Sequence, residues 1–236
     1  MINLKGDESM IGIIGAMYEE IVELKANLTN IEEKTIAGMN FFKGKLNNKD
    51  VVLVESGIGK VNSAICTTIL ITGFKAEKVI FTGVAGGINP KLNVGDIVVS
   101  NDLIQHDVDV TAFGCKHGEI PRMDNSVFKA DEILVEKAYN AAKYLFKNKN
   151  IIKGRVLSGD QFVSSAEKTK WFQDTFKGDC VEMEGASVAH VCHLFKVPFV
   201  VIRSISDKAD HSAQVDFNEF KHEAATVSKE IVLNII

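Results

Sequence analysis

Three acidic residues fall where the sequence predicts that buried strands end. Glu20 follows the apolar stretch IGIIG, Glu184 lies at the end of the strand-like stretch CVEM, and Asp207 directly follows VVIRSIS. Ligands of open α/β sheets bind outside the carboxyl ends of the strands, so the three carboxyl groups are expected to meet there. Carboxyl groups gathered at one edge suit acid/base catalysis on a neutral or cationic centre, or hydrogen bonds to sugar hydroxyls.

Each of these residues also has an ordinary structural explanation. Glu20 could lie on a solvated helix face, Asp207 could cap a helix or turn, and Glu184 could belong to the acidic first turn of a helix. These explanations are independent of one another. The coincidence of all three residues at the predicted ligand edge therefore favours a functional interpretation.

A further glutamate, Glu182, lies in the otherwise apolar stretch VEMEGASVAHV. Glutamate is rarely buried unless a partner neutralises it. If residues 182–184 are extended, the side chains of Glu182 and Glu184 point to the same side and both could reach the site. If a helix has already begun there, they diverge by about 200° and only one can reach it.

The elements that must position these residues alternate between buried strands and helices. We predict strands at 11–15, 51–56, 78–83, 95–106, 151–163 and 198–206, and a hairpin-like pair within 31–46. We predict helices after the first strand and near 61–73, 131–147, 185–195 and 216–234. Such alternation predicts a largely parallel sheet with helices on both faces. One domain over residues 11–236 would follow an N-terminal extension, residues 1–10.

Composition narrows the function classes. The chain has 236 residues, a net charge of −4 and 46% hydrophobic residues, so neither nucleic acid nor a membrane surface is an expected partner. The three arginines, Arg122, Arg155 and Arg203, are too few for a site that grips several phosphates. Four scattered cysteines, no secretory signal and no apolar run of roughly 18 residues predict a cytoplasmic protein.

Other motifs carry weaker signals. The stretches SGIGK and TGVAGG allow close backbone approach, but neither matches a nucleotide-binding fingerprint. His190 and His193 are three residues apart near Glu184, yet without an HExxH motif a packed histidine pair is favoured over a metal centre. No metal ion is therefore expected.

Taken together and in this order, the strand-end motifs resemble those of the 5'-methylthioadenosine/S-adenosylhomocysteine nucleosidase family in the nucleoside phosphorylase superfamily. The motifs are GIIGAMYEE, SGIGKVNSA, TGVAGG, VGDIVVS, SGDQFV, VEMEGASVAHVC and RSISDKAD, and the resemblance runs from about Ile11 to the C-terminus. It implies a single-domain α/β three-layer sandwich with a central mixed, partly barrel-like sheet flanked by helices.

The resemblance also implies an activity. The N-glycosidic bond of 5'-methylthioadenosine, S-adenosylhomocysteine and also 5'-deoxyadenosine would be hydrolysed, releasing adenine and the sugar. The resemblance further implies a small nucleoside as substrate, no metal or organic cofactor, and a homodimer.

Catalytic roles follow from the resemblance residue by residue. Asp207 matches the general acid that protonates N7 of adenine, and Ser206 orients its carboxyl group. Glu20 matches the residue that activates water, with Arg203 near that water. Glu184 matches the carboxylate that binds the ribose hydroxyls and steadies the cationic sugar.

The resemblance assigns the remaining contacts as well. Met183 packs on the ribose, Phe162 stacks on adenine, the main chain of Val163 reads the Watson–Crick edge of adenine, and Glu182 has a supporting role. The residues that line the 5' pocket are Met17, Ile58 and Phe217, with Val110 and Phe113 contributed by the neighbouring subunit. Without the resemblance, these five would be interpreted as ordinary core residues.

One departure from the family pattern is Val84, where some relatives have serine. Any polar role of that serine would pass to the backbone or to Arg203. The alternatives left open are a phosphorolytic enzyme of the superfamily, a hydrolase acting on AMP or futalosine, and a non-catalytic nucleoside sensor.

Overall fold

The strands form one mixed sheet of ten strands, part of which closes on itself. The computed structural model describes residues 9–210 and 213–236, except for the side chains of 221, 224 and 228; residues 1–8, most of the predicted N-terminal extension, lie outside the described residues. The strands are β1 (Ile11–Gly15), β2 (Thr29–Ile36), β3 (Met39–Leu46), β4 (Lys49–Glu55), β5 (Lys78–Gly87), β6 (Ile97–Gln105), β7 (Phe128–Lys129), β8 (Ile151–Ser158), β9 (Cys180–Glu182) and β10 (Phe199–Asp207).

The strand order is β10-β6-β8-β9-β5-β1-β4-β3-β2, and β7 pairs with β6. Because β10 also pairs with β5, the strands β5, β10, β6, β8 and β9 close into a five-stranded barrel. Five of the ten pairings are parallel and five are antiparallel. The mixed, barrel-like α/β fold implied by the resemblance is thus confirmed, whereas the largely parallel sheet expected from element alternation is wrong.

Helices pack around this sheet. They are α1 (Tyr18–Ala26), α2 (Lys60–Gly73), α3 (Glu132–Leu145), α4 (Ala166–Phe176), α5 (Gly185–Phe195) and α6 (Ala213–Ile235), with a 3₁₀ turn at Thr111–Phe113. Helices α1 and α3 pack on α6, while α2 packs on α5. No helix in the described part of the chain is both long and apolar enough to cross a membrane.

Burial explains why the central strands read as continuous apolar runs. Every residue of β1 and of β10 is buried, as expected for strands covered on both faces. Parallel pairing of β1 with β4 and β5, and of β5 with β10, brings their carboxyl ends to one edge. Glu20 and Asp207 come from this edge, and Glu184 follows β9, which pairs with β5.

Helix α4 was not predicted from the sequence. Its buried side chains are Phe172 and Phe176 alone, so it has little apolar periodicity. The predicted strand over 151–163 accordingly ends early, at Ser158. A second apolar cluster forms beside the barrel where α4 packs, made of Ile88, Ile104, Leu157, Val163, Phe172, Phe176, Val181 and Ala209.

Candidate active site

A cavity of about 390 Å³ opens at the carboxyl ends of β1, β5 and β10 and beside the start of α5. Eleven of the fourteen predicted site residues line it; the other three are Arg203, Val110 and Phe113. The full lining is Ala16, Met17, Glu20, Ile58, Val84, Ala85, Gly86, Gln161, Phe162, Val163, Val181, Glu182, Met183, Glu184, Ser206, Asp207 and Phe217.

Glu20 is buried in the first turn of α1 and is not on a solvated face. Its Oε2 accepts hydrogen bonds from the backbone N–H groups of Ala16 (2.6 Å) and Met17 (3.0 Å). Its Oε1 accepts one from the N–H of Val84 at 3.1 Å. Burial raises the pKa of Glu20, although Arg203 and these N–H groups oppose the rise. The backbone of Val84 therefore makes a polar contact that its side chain cannot make.

The carboxylate of Glu20 needs the empty space at Gly83. A Cβ at Gly83 would lie 2.4 Å from Oε1 of Glu20 and 3.0 Å from Nη1 of Arg203. We expect Gly83→Ala to displace Glu20 and, given the water-activating role that the resemblance implies for it, to lower kcat by about 10²-fold or more. Steady-state kinetics check this against Gly73→Ala, whose Cβ would meet Ile69 at an ordinary 3.7 Å. Equal activity of the two variants would contradict it.

Asp207 ends β10 with its side chain only 3% exposed. The hydroxyl of Ser206 donates to Oδ2 at 2.8 Å, and the N–H of Ala209 donates to Oδ1 at 2.8 Å. Burial raises the pKa of Asp207, and the carboxylates of Asp216 and Asp210 add to the rise. Asp207 is thus an oriented carboxyl group whose pKa is shifted upwards, the direction that a general acid requires.

The two glutamates of VEMEG have different environments. Strand β9 ends at Glu182, whose carboxylate accepts from the hydroxyl of Ser158 and, at 2.6 Å, from Nη2 of Arg203. Glu184 is the N-cap residue of α5, and its Oε1 accepts from the N–H of Gly59 at 2.7 Å. Burial and the charge of Glu182 raise the pKa of Glu184 to about 8. Arg203 forms an ion pair with Glu182, whereas Glu184 forms none among the described residues and Arg203 only partly opposes its raised pKa.

Arg203 lies behind the cavity wall. It is 1% exposed, and its guanidinium stacks over the ring of Phe81 at 4.0 Å. Burial disfavours its charge, but Glu182 and Glu20 outweigh this effect, so the pKa of Arg203 is raised. It therefore balances part of the acidic charge from outside the cavity.

The raised pKa of Glu184 gives a stability prediction. A glutamate in the unfolded chain has a pKa of about 4.3, so the folded protein binds the extra proton and loses stability as pH rises towards about 8. Glu184→Gln avoids this loss and keeps an acceptor for Gly59. We expect the Tm of Glu184→Gln to exceed that of wild type at pH 9 and the Tm difference to be smaller at pH 5. Each kcal/mol of stability corresponds to about 2–4 °C in Tm.

Thermal unfolding of both proteins at the two pH values measures this effect. Glu23→Gln is the matched control, because Lys229 lowers the pKa of that exposed carboxylate and reverses the sign. A Tm difference for Glu184→Gln that does not change with pH would contradict the expectation.

The remaining cavity lining is mostly apolar. Ile58 is 54% exposed and Phe162 50% exposed, and Phe162 meets Phe217 edge-on with ring centroids 5.9 Å apart. Met17 is half-buried, while Val163 is buried in the cluster beside α4. The wall can thus accept an aromatic base and an apolar substituent.

Val110 and Phe113 do not line the cavity of their own chain. Both lie at the 3₁₀ turn between β6 and β7, where Phe113 is 85% exposed and Val110 is half-buried. Their assignment to the neighbouring subunit stays a prediction.

Sequence reasoning missed a polar cluster that joins three loops of the site. The backbone N–H of Lys60 donates to Asp160 at 2.8 Å, and its ammonium group donates to Asp107 at 2.7 Å. Asp107 also accepts from the N–H of Asp160 at 3.1 Å. Lys60 follows Gly59, whose N–H binds Glu184. Since the three loops are about 50–100 residues apart in sequence, residue spacing could not connect them.

The histidine pair on α5 packs against an aromatic ring. His190 stacks on Phe128 with centroids 4.6 Å apart, and His193 lies 5.6 Å from the same ring. Within residues 9–210 and 213–236, no three His, Cys, Asp or Glu side chains form a group that could hold a metal ion.

The site thus consists of buried carboxyl groups around a mostly apolar cavity on a partly closed α/β sheet. The chain belongs to the phosphorylase superfamily, whose family model matches residues 10–236. A 5'-methylthioadenosine/S-adenosylhomocysteine nucleosidase of Staphylococcus haemolyticus is 46% identical over 96% of this chain and 99% of its own length. The Bacillus cereus (strain AH187) nucleosidase of the same name is 45% identical, with coverages of 96% and 97%. Within the superfamily, the chain is thus a member of this nucleosidase family.

Solved structures agree with this membership. The nucleosidase from Neisseria meningitidis in complex with methylthio-immucillin-A has a TM-score of 0.92 and 40% identity, covering 96% of this chain and 98% of that one. Futalosine hydrolase of Helicobacter pylori matches nearly as well, with a TM-score of 0.91, 40% identity and 97% coverage of both chains.

Proposed function

We propose that this protein hydrolyses the N-glycosidic bond of 5'-methylthioadenosine and S-adenosylhomocysteine, releasing adenine and the thioribose. One observation carries the proposal. The ionisable side chains among the described residues that line the cavity are all acidic: Glu20, Glu182, Glu184 and Asp207. Apart from Gln161 and Ser206, the rest of the lining is apolar. Such a site stabilises a sugar that becomes cationic and accepts an uncharged 5' substituent.

The reaction starts with departure of the base. The bond between C1' and N9 breaks with its electron pair going to adenine, while protonated Asp207 gives its proton to N7. Adenine then leaves as a neutral molecule, and burial, which raises the pKa of Asp207, favours retention of that proton until the base departs. Ser206 holds the carboxyl plane through Oδ2.

Water completes the reaction. Positive charge on the ribose ring meets the carboxylate of Glu20, as in other glycoside hydrolyses. The same charge favours ionisation of Glu184, against the burial and the charge of Glu182 that raise its pKa. The water oxygen bonds to C1' and its proton passes to Glu20. Glu20 is held in place by three backbone N–H groups, so it can act with little reorganisation.

Two alternatives fit the cavity poorly. Phosphorolysis would place phosphate in a cavity whose ionisable lining is acidic, beside Glu20, where like charges repel. AMP would place its phosphate on the surface formed by Met17, Ile58 and Phe217, which offers no cation. Futalosine remains a substrate to be compared directly, because a futalosine hydrolase shares this fold closely.

The proposal includes a homodimer in the cytoplasm. Phe113, 85% exposed in one chain, is suited to close the open apolar side of the partner's cavity. All four cysteines are free thiols, in keeping with a reducing compartment. Light scattering should give twice the mass of one chain, and Phe113→Asp should weaken both dimerisation and methylthioadenosine binding; a fully active monomer would refute this part.

Adenine release measures the activity. Purified protein should release adenine from methylthioadenosine and S-adenosylhomocysteine at the same rate with and without added phosphate, and should release the purine base more slowly from futalosine and AMP. A phosphate requirement would indicate a phosphorylase, and preference for futalosine would indicate the related hydrolase. Tight methylthioadenosine binding without turnover would indicate a sensor; each of these results would overturn the proposal.

A further inference from the structure

We propose that Thr169 is a positioning residue for the general acid: its hydroxyl holds the backbone of Ala209, whose N–H orients the carboxyl group of Asp207. Thr169 lies on α4, the helix that the sequence did not predict. It does not line the cavity and acts through Ala209. The inference rests on the proposed function, because it assumes that Asp207 delivers a proton.

The contact chain has two links. Oγ1 of Thr169 donates to the carbonyl oxygen of Ala209 at 2.7 Å. The N–H of Ala209 donates to Oδ1 of Asp207 at 2.8 Å. Ala209 therefore has both of its backbone polar groups committed, one to α4 and one to the carboxyl group.

The backbone of Ala209 adopts an unusual conformation. Its φ is +52°, in the left-handed region that residues with a side chain rarely occupy. Such conformations persist where the surrounding structure holds them, and they concentrate at functional sites. Without the Thr169 hydrogen bond, the segment loses one of the contacts that keep this N–H aimed at Asp207.

Packing leaves little room for a different arrangement. Ala209 is fully buried in the cluster that contains Phe172 and Phe176 of α4. A Cβ at Gly86 would lie 2.8 Å from Oδ1 of Asp207 and 2.9 Å from Cβ of Ala209. Strand β5 and the segment after β10 thus meet at the carboxyl group, and α4 packs against Ala209 beside it.

The hydroxyl of Thr169 departs from the usual helical pattern. On α2, the hydroxyls of Thr67, Thr68 and Thr72 each donate to the carbonyl four residues earlier. That local bond is the common one for threonine in a helix. Thr169 instead bonds a segment forty residues later in the chain, which a helix-stabilising role does not require.

The charges around Asp207 provide a readout. The Ala209 N–H favours ionised Asp207 and lowers its pKa, against the larger effect of burial. Asp216 and Asp210 raise this pKa, and the ammonium group of Lys168 donates a hydrogen bond to the side-chain oxygen of Gln161. Substitution of Thr169 leaves these charged groups in place. A looser Ala209 N–H should therefore raise the pKa of Asp207 further.

The test compares Thr169→Val with Thr169→Ser. Valine keeps the size but removes the hydroxyl, whereas serine keeps the hydroxyl. We expect Thr169→Val to lower kcat for methylthioadenosine about tenfold with KM changed little, since one hydrogen bond is lost. The alkaline limb of its pH–rate profile, where activity falls as Asp207 loses its proton, should move up by about half a pH unit. Thr169→Ser should restore both quantities.

The outcomes separate the possible explanations. Wild-type kcat and an unmoved alkaline limb in Thr169→Val would refute the proposal. A lower Tm, with unchanged activity per folded molecule and an unchanged alkaline limb, would show that Thr169 has a purely structural role and would also refute the proposal. If wild type releases no adenine, the proposed function fails first; if wild type is active and Thr169→Val equals it, only this inference fails.

Discussion

Asp207→Asn is expected to lower kcat/KM for methylthioadenosine by about 10²–10⁴-fold, the range for a lost general acid. Asparagine has no proton to transfer to N7, so adenine would have to leave as an anion. The geometry should survive, because the amide oxygen can still accept from Ala209 and the hydroxyl of Ser206 can accept from the amide N–H. Initial rates of adenine release and calorimetric binding of methylthioadenosine measure the loss and the retained affinity.

Asp174→Asn is the matched control for this substitution. Asp174 is exposed on α4 and pairs with Lys170, and its pKa is lowered. The control should keep wild-type activity. In wild type, activity should fall as pH rises through the raised pKa of Asp207, since the protonated form is the active one. Near-normal hydrolysis by Asp207→Asn would show that another group protonates the base.

Glu20→Gln is expected to lower kcat by about 10²–10⁴-fold as well, because the amide cannot take a proton from water. Part of the loss is structural, since glutamine offers one acceptor oxygen to the three N–H groups of Ala16, Met17 and Val84. Thermal unfolding and binding of methylthioadenosine separate that part from the chemical part. The ionised form is active here, so wild-type activity should rise as pH rises through the raised pKa of Glu20.

Glu23→Gln is one turn further along α1 and serves as the control. Glu23 is exposed and binds Lys229 at 2.7 Å, away from the cavity. Its substitution should leave kcat unchanged. If Glu20→Gln and Glu23→Gln behave alike, Glu20 does not activate the water.

Apolar patterning was sufficient to locate the central strands. Strands such as IGIIG and VVIRSIS are buried on both faces, so the sequence carries a continuous apolar signal. Barrel closure was not visible to residue patterning, because it depends on pairing of β10 with β5 and β6, more than ninety residues away in sequence. Only the family resemblance indicated it.

The candidate site, too, could be predicted from the sequence only in part. Strand-end position was enough to single out Glu20, Glu184 and Asp207, whereas their separate environments depend on distant partners. Arg203 of β10 reaches Glu182 of β9, the strand on the other side of β5, and Gly59 reaches Glu184 across 125 residues. Such contacts are set by tertiary packing, so the periodicity and spacing of residues cannot predict them.

The most direct test of the proposed hydrolysis identifies the source of the oxygen atom at C1' of the sugar product. Methylthioadenosine is turned over in water enriched in ¹⁸O, with inorganic phosphate present, and the sugar product is identified by mass spectrometry at early time points. We predict free methylthioribose with ¹⁸O at C1' and one adenine per sugar, with this product reduced in parallel by Asp207→Asn and Glu20→Gln. A sugar 1-phosphate without solvent oxygen at C1' would contradict water as the nucleophile.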